Sequence, residues 1–183
     1  MQSLRRVLLA LGLALVTVPL YAAVKAMSLA ELMGSTVETA LVHIVEKTTF
    51  RSDVPFEGAV FTRLTVKGES LRTGEPVSTQ VIFLGSQDPA DHFASSEMPR
   101  LQDTRVGSDV ILFVWKDEAM PGAPLRVASH ADVYRVEQTF GTQVVIGKGE
   151  GAAFPENVKL VDARDQIRKT HLALQAAPAP AGK

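Results

Sequence analysis

The segment Val110-Ile111-Leu112-Phe113-Val114-Trp115 decides the fold of this chain, because it is an unbroken apolar run of six residues. It is short and rich in β-branched and aromatic residues, which favours a strand over a helix. Successive side chains of a strand point to opposite faces, so a continuous apolar run needs cover on both faces. We therefore expect this strand to lie at the centre of the core.

Segments on both sides of the central run have the same β-type composition. Several of them alternate between apolar and polar positions, and Gly/Pro-rich turns separate them. The predicted strands are 37–50, 59–67, 77–84, 110–115, 133–139 and 142–146. The last two are joined at Phe140-Gly141, which indicates a hairpin or a bulged strand. The pattern predicts a mostly all-β domain over residues 27–160.

One helix is predicted before the strands. Ser28-Leu29-Ala30-Glu31 fits a capping box, and Gly34 is suited to the position just after the helix. A helix of this length is unstable alone. We expect it to pack on the open end of a barrel or sandwich.

A second helix is predicted after the strands, over residues 161–175. Asp162 would cap it, and Ile167, His171 and Leu174 would form its apolar stripe. The alanine- and proline-rich tail 176–183 has too little apolar surface to order itself, so we expect it to be disordered.

The first 26 residues resemble an export signal. Arg5 and Arg6 precede an apolar run of 14 residues, Val7 to Leu20, and small residues follow through Ala26. The run is shorter than the roughly 20 apolar residues that span a bilayer as a helix. We expect cleavage and export to the periplasm or exterior, with membrane contact only through the uncleaved signal.

Charge and cysteine content limit the partners and the means of stabilisation. The formal charge is −1, and removal of Arg5 and Arg6 makes it −3, so no excess of basic residues points to nucleic acid. The chain has no cysteine, hence no disulfide and no site for lipid attachment. Core packing must hold the mature domain together.

Three stretches together resemble a recurrent exported bacterial β-barrel domain of uncharacterised function. They are Met98-Pro99-Arg100-Leu101, the strand Val106-Gly107-Ser108-Asp109-Val110-Ile111-Leu112-Phe113-Val114, and Phe140-Gly141. The resemblance covers roughly residues 28 to 147 and implies a small closed sheet of OB-like character. The expected fold is thus a five- to six-stranded OB-like barrel with one helix at each end. Fold alone does not assign an activity.

The long polar segment 85–102 is the expected contact surface for a partner. Such loops often carry function. Met98 and Arg100 lie in it, and Trp115, the only tryptophan, lies at the end of the central strand where its ring could face a sugar or peptide. A tryptophan beside a core strand is also a common core-edge residue. These three residues are the candidate binding site.

The sequence offers only weak candidates for catalysis. Asp88, Asp91 and His92 could fold around a metal ion, but the same residues suit turn contacts in a solvated loop. His130 and Asp132 lack a third ligand placed by the sequence. No serine lies in a nucleophile-elbow motif. No cofactor is expected.

The leading hypothesis is an exported, non-catalytic binding or interaction module whose partner is a protein or polymer of the envelope or exterior. One alternative is a metal-dependent hydrolase that uses the Asp88, Asp91 and His92 loop. Another is a peptidase inhibitor or accessory domain, since small barrels can present an edge to an enzyme. The hypotheses leave open whether the protein is an enzyme.

The export hypothesis predicts that the mature chain begins after Ala23 or at one of the next residues up to Met27. The intact mass and the N-terminal peptide of protein purified from its native compartment would measure this. Leu13→Arg should abolish export, because a charge interrupts the apolar run. A mature protein that still begins at Met1 and stays in the membrane would contradict the hypothesis.

Overall fold

The computed structural model describes residues 27–53, 57–91, 95, 98–120, 122 and 124–177. The predicted signal, residues 1–26, lies outside the described residues, and so does the predicted tail from residue 178 onward. The strands are β1 Glu38–Arg51, β2 Val60–Ser70, β3 Pro76–Leu84, β4 Asp109–Lys116, β5 Leu125–Arg126, β6 Val133–Thr139, β7 Thr142–Val145 and β8 Val158–Lys159. The helices are α1 Leu29–Ser35 and α2 Leu160–Ala176. Short 3-10 turns cover Pro89–Asp91, Leu101–Thr104 and His130–Asp132.

Five strands close into a barrel. Their order is β1-β2-β3-β5-β4, and antiparallel pairing of β1 with β4 completes the ring. β3 and β5 run parallel and pair through Ile82 and Arg126. The prediction of a mostly β, OB-like barrel with a short N-terminal helix and a C-terminal helix is confirmed. β6, β7 and β8 extend the sheet beyond the barrel from β4.

The central strand β4 is buried on both faces, as its apolar run predicts. Val110, Leu112 and Val114 belong to the cluster that fills the barrel. Ile111 and Phe113 point the other way, into a second cluster outside the barrel. This strand therefore joins two cores.

The second core explains where the helices lie. Leu32 and Met33 of α1 and Ile167 of α2 pack with Phe113 against the outer wall. α1 thus covers the wall and not the open end of the barrel, so that expectation was wrong. The physical reason is that β4 and β6 present a second apolar face, with Tyr134 and other large side chains, that must be removed from water.

The capping box of α1 is confirmed, while its predicted end is not. Glu31 N donates to Ser28 Oγ at 3.3 Å, and Ser28 N donates to Glu31 Oε2 at 2.9 Å. The helix continues past Gly34 to Ser35, with Thr36 as the C-terminal cap. The Ser35 and Thr36 hydroxyls donate to carbonyls one turn earlier, at 2.8 and 2.9 Å, which satisfies the last turn.

Helix α2 begins two residues before the predicted cap. Its first residue is Leu160, and Lys159 precedes it without a side-chain capping bond, so Asp162 is not the cap. β8 pairs with β7 through Val158 and Lys159 and leads directly into the helix. Burial of Leu160 in the second core fixes this early start. Asp162 lies instead in the first turn, where the helix dipole favours a carboxylate.

Gly68 allows β1 and β2 to approach closely. A Cβ atom added at Gly68 would lie 2.0 Å from the Leu41 carbonyl oxygen. Four residues further along β1, the register shifts between Ile44 and Glu46. Such a bulge bends a strand and increases its twist, which helps a sheet to close.

The β6–β7 hairpin ends in a tight two-residue turn. Thr139 pairs with Thr142, so Phe140 and Gly141 form the turn, with φ values of 46° and 77°. Both values are positive, as a type I′ turn requires, and asparagine or aspartate usually occupies the first position. Phe140 is instead a bulky residue in the left-handed region, and it is fully exposed. The turn therefore carries backbone strain with no packing to offset it.

Phe140→Asn should raise the free energy of unfolding by about 1 kcal/mol, since asparagine tolerates the left-handed conformation. Urea denaturation would measure the change. Phe140→Ala is the matched control, because it removes the ring but keeps an unfavourable residue in the turn. Equal stabilisation by both substitutions would show that the gain comes from loss of the exposed ring and not from relief of strain.

Candidate functional site

A cleft of about 310 Å³ opens on the outer wall of the barrel, beside the end of β4. Trp115, Tyr134, Lys148 and Arg100 line it, together with residues of the His130–Asp132 turn. We call it the Trp115 cleft. Its size lies at the lower end of the range for small-molecule sites, about 300 to 1,000 Å³.

A buried carboxylate orients the indole ring of Trp115. Trp115 Nε1 donates to Asp132 Oδ2 at 3.3 Å. The same oxygen accepts from the backbone N–H groups of Ala128 at 2.9 Å and Ser129 at 2.8 Å. Burial raises the pKa of Asp132, while these three donors act to lower it. The carboxylate is therefore a fixed anchor, and the ring enters the cleft in a set orientation.

Lys148 connects the two 3-10 turns that border the cleft. Its Nζ lies 3.3 Å from Asp103 Oδ2 and donates to the His130 carbonyl. It also lies 5.2 Å from the centre of the Tyr134 ring, within the range of a cation–π contact. Burial lowers the pKa of Lys148, the Asp103 carboxylate raises it, and nearby Arg100 lowers it. An ammonium group is thus held inside the cleft with a second cation close by.

The position of Lys148 depends on a close approach between two backbone segments. It follows Gly147, where an added Cβ atom would lie 2.4 Å from the Glu156 carbonyl carbon. Gly147 N also donates to Asn157 Oδ1 at 2.9 Å. Tyr134 fixes the far side of this loop, since its hydroxyl accepts from Ala153 N at 3.1 Å.

Gln87 holds the segment that carries Arg100. Its Nε2 donates to the Pro99 carbonyl at 2.6 Å. Its Oε1 accepts from Thr104 Oγ1 at 2.9 Å and from Lys47 Nζ on β1. Arg100 itself is exposed and immediately precedes the Leu101–Thr104 turn. A tethered backbone therefore presents a solvated guanidinium at the edge of the cleft.

A broader groove of about 940 Å³ adjoins the cleft. Arg100 lines both hollows, and Leu101, Arg105, Asp109 and Arg135 also line the groove. We call it the arginine groove. Arg135 Nε lies 2.9 Å from Glu137 Oε1, yet the angle gives that N–H no hydrogen bond. The groove is thus polar and carries three guanidinium groups.

Two of the three predicted binding residues come together. Arg100 and Trp115 share the cleft, whereas Met98 packs against the barrel interior, near Gly85. Sequence reasoning missed Lys148, Tyr134 and the anchoring role of Asp132. The one local signal for Lys148 was a lysine between two glycines, Gly147 and Gly149, which indicates a tightly constrained backbone.

The structure describes two of the three residues of the metal hypothesis, Asp88 and Asp91. His92 lies outside the described residues, so the trio stays a prediction. Asp91 accepts from the Ser86 hydroxyl, and Asp88 Oδ1 accepts from Ala90 N at 2.9 Å, as turn-forming aspartates do. Among the described residues, no group of three or more histidine and acidic side chains could hold a metal ion.

The face that OB barrels commonly use runs across their second and third strands. Here Phe61 is buried and stacks on Phe50 at 5.7 Å, and the Arg63 guanidinium lies 4.6 Å above the Phe50 ring. These aromatic rings are therefore engaged in packing. Residues 54–56, in the loop beside them, lie outside the described residues.

Within the described part of the chain, no helix is both long enough and apolar enough to cross a bilayer. No family model, curated protein or solved structure matches this chain.

The buried carboxyl of Asp132 predicts a distinct pH dependence of stability. Because its pKa is raised above the ordinary 3.8, the native state holds more protons than the unfolded state just above that pH. The Asp132 contribution to the free energy of unfolding should therefore fall as the pH rises through this window. As the pH rises through this window, the free energy of unfolding should fall less steeply in Asp132→Asn than in the wild-type protein. Asp165→Asn, on the exposed side of α2, is the control. If the free energy of unfolding changes with pH equally in Asp132→Asn and in wild type, the prediction is contradicted.

Proposed function

We propose that this protein is an exported, non-catalytic binding module that holds its ligand in the Trp115 cleft. The observation that carries the proposal is the meeting of an anchored indole, a half-buried ammonium and an exposed guanidinium around one hollow. Aromatic surface with a few fixed polar groups is the usual composition of a small-molecule site.

The contacts of the titratable groups favour binding over catalysis. The Lys148 ammonium is engaged by a carboxylate, a carbonyl and an aromatic ring. The Asp132 oxygen already accepts three hydrogen bonds. A general acid or base must exchange a proton with a substrate, which requires a free position within hydrogen-bond reach. Both groups instead act as supports for the walls of the cleft.

Export is supported by the N-terminal pattern of two arginines, an apolar run and small residues, and by the resemblance to exported barrel domains. An exported binding module would meet proteins and polymers of the envelope or exterior. The formal charge of −1 argues against nucleic acid as its partner.

Trp115 fluorescence tests the proposal directly, because the chain has no other tryptophan. Purified protein would be titrated with peptides and with neutral and acidic oligosaccharides released from envelope material. We expect a saturable change in emission for at least one fraction, with the ligand recovered unchanged by mass spectrometry. Arg100→Gln should weaken that binding by about tenfold, since a guanidinium contact at the cleft is lost.

Arg168→Gln, on an exposed part of α2, is the matched control and should leave the affinity unchanged. A ligand that is chemically altered in proportion to protein and time would show catalysis and overturn the proposal. An affinity that is insensitive to Arg100→Gln would place the binding site elsewhere.

A further inference from the structure

The Trp115 cleft and the arginine groove are neighbours, because Arg100 lines both. The groove extends from the cleft past the Leu101–Thr104 turn toward Arg105 and Asp109. A ligand longer than the cleft can therefore continue into the groove. This extent favours an elongated ligand with repeating units.

Two exposed cations, Arg100 and Arg105, line the groove. Its acidic residues are already paired: Asp109 Oδ1 lies 2.9 Å from His43 Nδ1, and Glu137 lies against Arg135. Within the described part of the chain, Arg100 and Arg105 have no carboxylate partner. Both are exposed. An anionic group on the ligand would neutralise them, and guanidinium binds carboxylate strongly through paired hydrogen bonds.

Strand β4, which contributes Asp109 to the groove, does not offer its edge to an extended peptide there. Peptides commonly bind by adding a strand to a free sheet edge. Over residues 109–112, β4 pairs with β1 on one side and with β6 on the other, so it offers no free edge along this stretch. A helical ligand needs an apolar groove, whereas guanidinium groups line this one.

The cleft suits a sugar ring. The anchored indole can offer an apolar face to the C–H groups of the ring, and Ser129 and Glu150 are polar residues of the lining whose side chains can bind hydroxyl groups. Because the polar groups of the cleft include both donors and acceptors, a polyhydroxylated ligand can be satisfied there.

We propose that the ligand is an acidic oligosaccharide, with one ring against Trp115 and its carboxylates at Arg100 and Arg105. This inference rests on the proposed binding function and deepens it by naming the ligand class. Uronic acid polymers carry a carboxylate on each sugar unit, so one chain supplies both the ring and the anionic groups.

Short oligogalacturonates and oligomannuronates are the probes, with their carboxyl-reduced, neutral counterparts for comparison. We expect at least one acidic oligomer to shift Trp115 emission and to bind about tenfold or more tightly than its neutral form. Arg105→Gln should reduce affinity for the acidic oligomer by about tenfold and leave any binding of the neutral form unchanged, since Arg105 lies outside the cleft. Arg168→Gln is again the control.

The outcomes distinguish a failure of this inference from a failure of the proposed function. If neither acidic oligomer binds, or neutral forms bind equally well, the inference fails. Tighter binding of polyglutamate or of oligodeoxythymidylate would also overturn it and would identify an acidic peptide or a single-stranded nucleic acid as the ligand class. In all these cases the proposed function survives if an envelope fraction still shifts Trp115 emission, and it fails if none does.

Discussion

The burial of β4 on both faces is the constraint on which the rest of the structure depends. A strand with six consecutive apolar residues cannot leave either face in water, so the chain must build two cores around it. The barrel covers one face through Val110, Leu112 and Val114. The helices and β6 cover the other, and the Trp115 cleft forms where that cover ends. The position of the candidate site is thus a consequence of how the second core closes.

Features with a local sequence pattern could be predicted, and features fixed by distant contacts could not. The β4 run, the capping box at Ser28 and the hairpin at Phe140 each depend on neighbouring residues, and each was found. β5 and β8 have two residues each, too few for any periodicity to show. The Lys148 contact with Asp103 joins residues 45 positions apart, and no local pattern specifies such a pair. Met98 was chosen for its loop position, and no local pattern indicates that it packs, half-buried, against the barrel interior.

The candidate site lies on the β4–β6 side of the barrel, away from the face across the second and third strands that OB barrels commonly use. On the common face, Arg63 of β2 lies over the ring of Phe50 on the neighbouring strand β1, so both side chains are engaged in packing. Strand β6, Leu32 of α1 and the loop that carries Lys148 add lining residues that the five-stranded barrel by itself does not possess.

The parallel contact between β3 and β5 has a consequence for how the molecule opens. A single residue pair, Ile82 with Arg126, and a bond of 2.8 Å from Val127 N to the Ile82 carbonyl form this seam. Every other junction of the barrel except the short β4–β5 contact has six or more paired residues. Local opening is cheapest where the fewest hydrogen bonds and contacts break. We therefore expect the barrel to open most easily along this seam. Because Arg126 also pairs with Trp115 of β4, such an opening would begin beside the cleft and would loosen one of its walls.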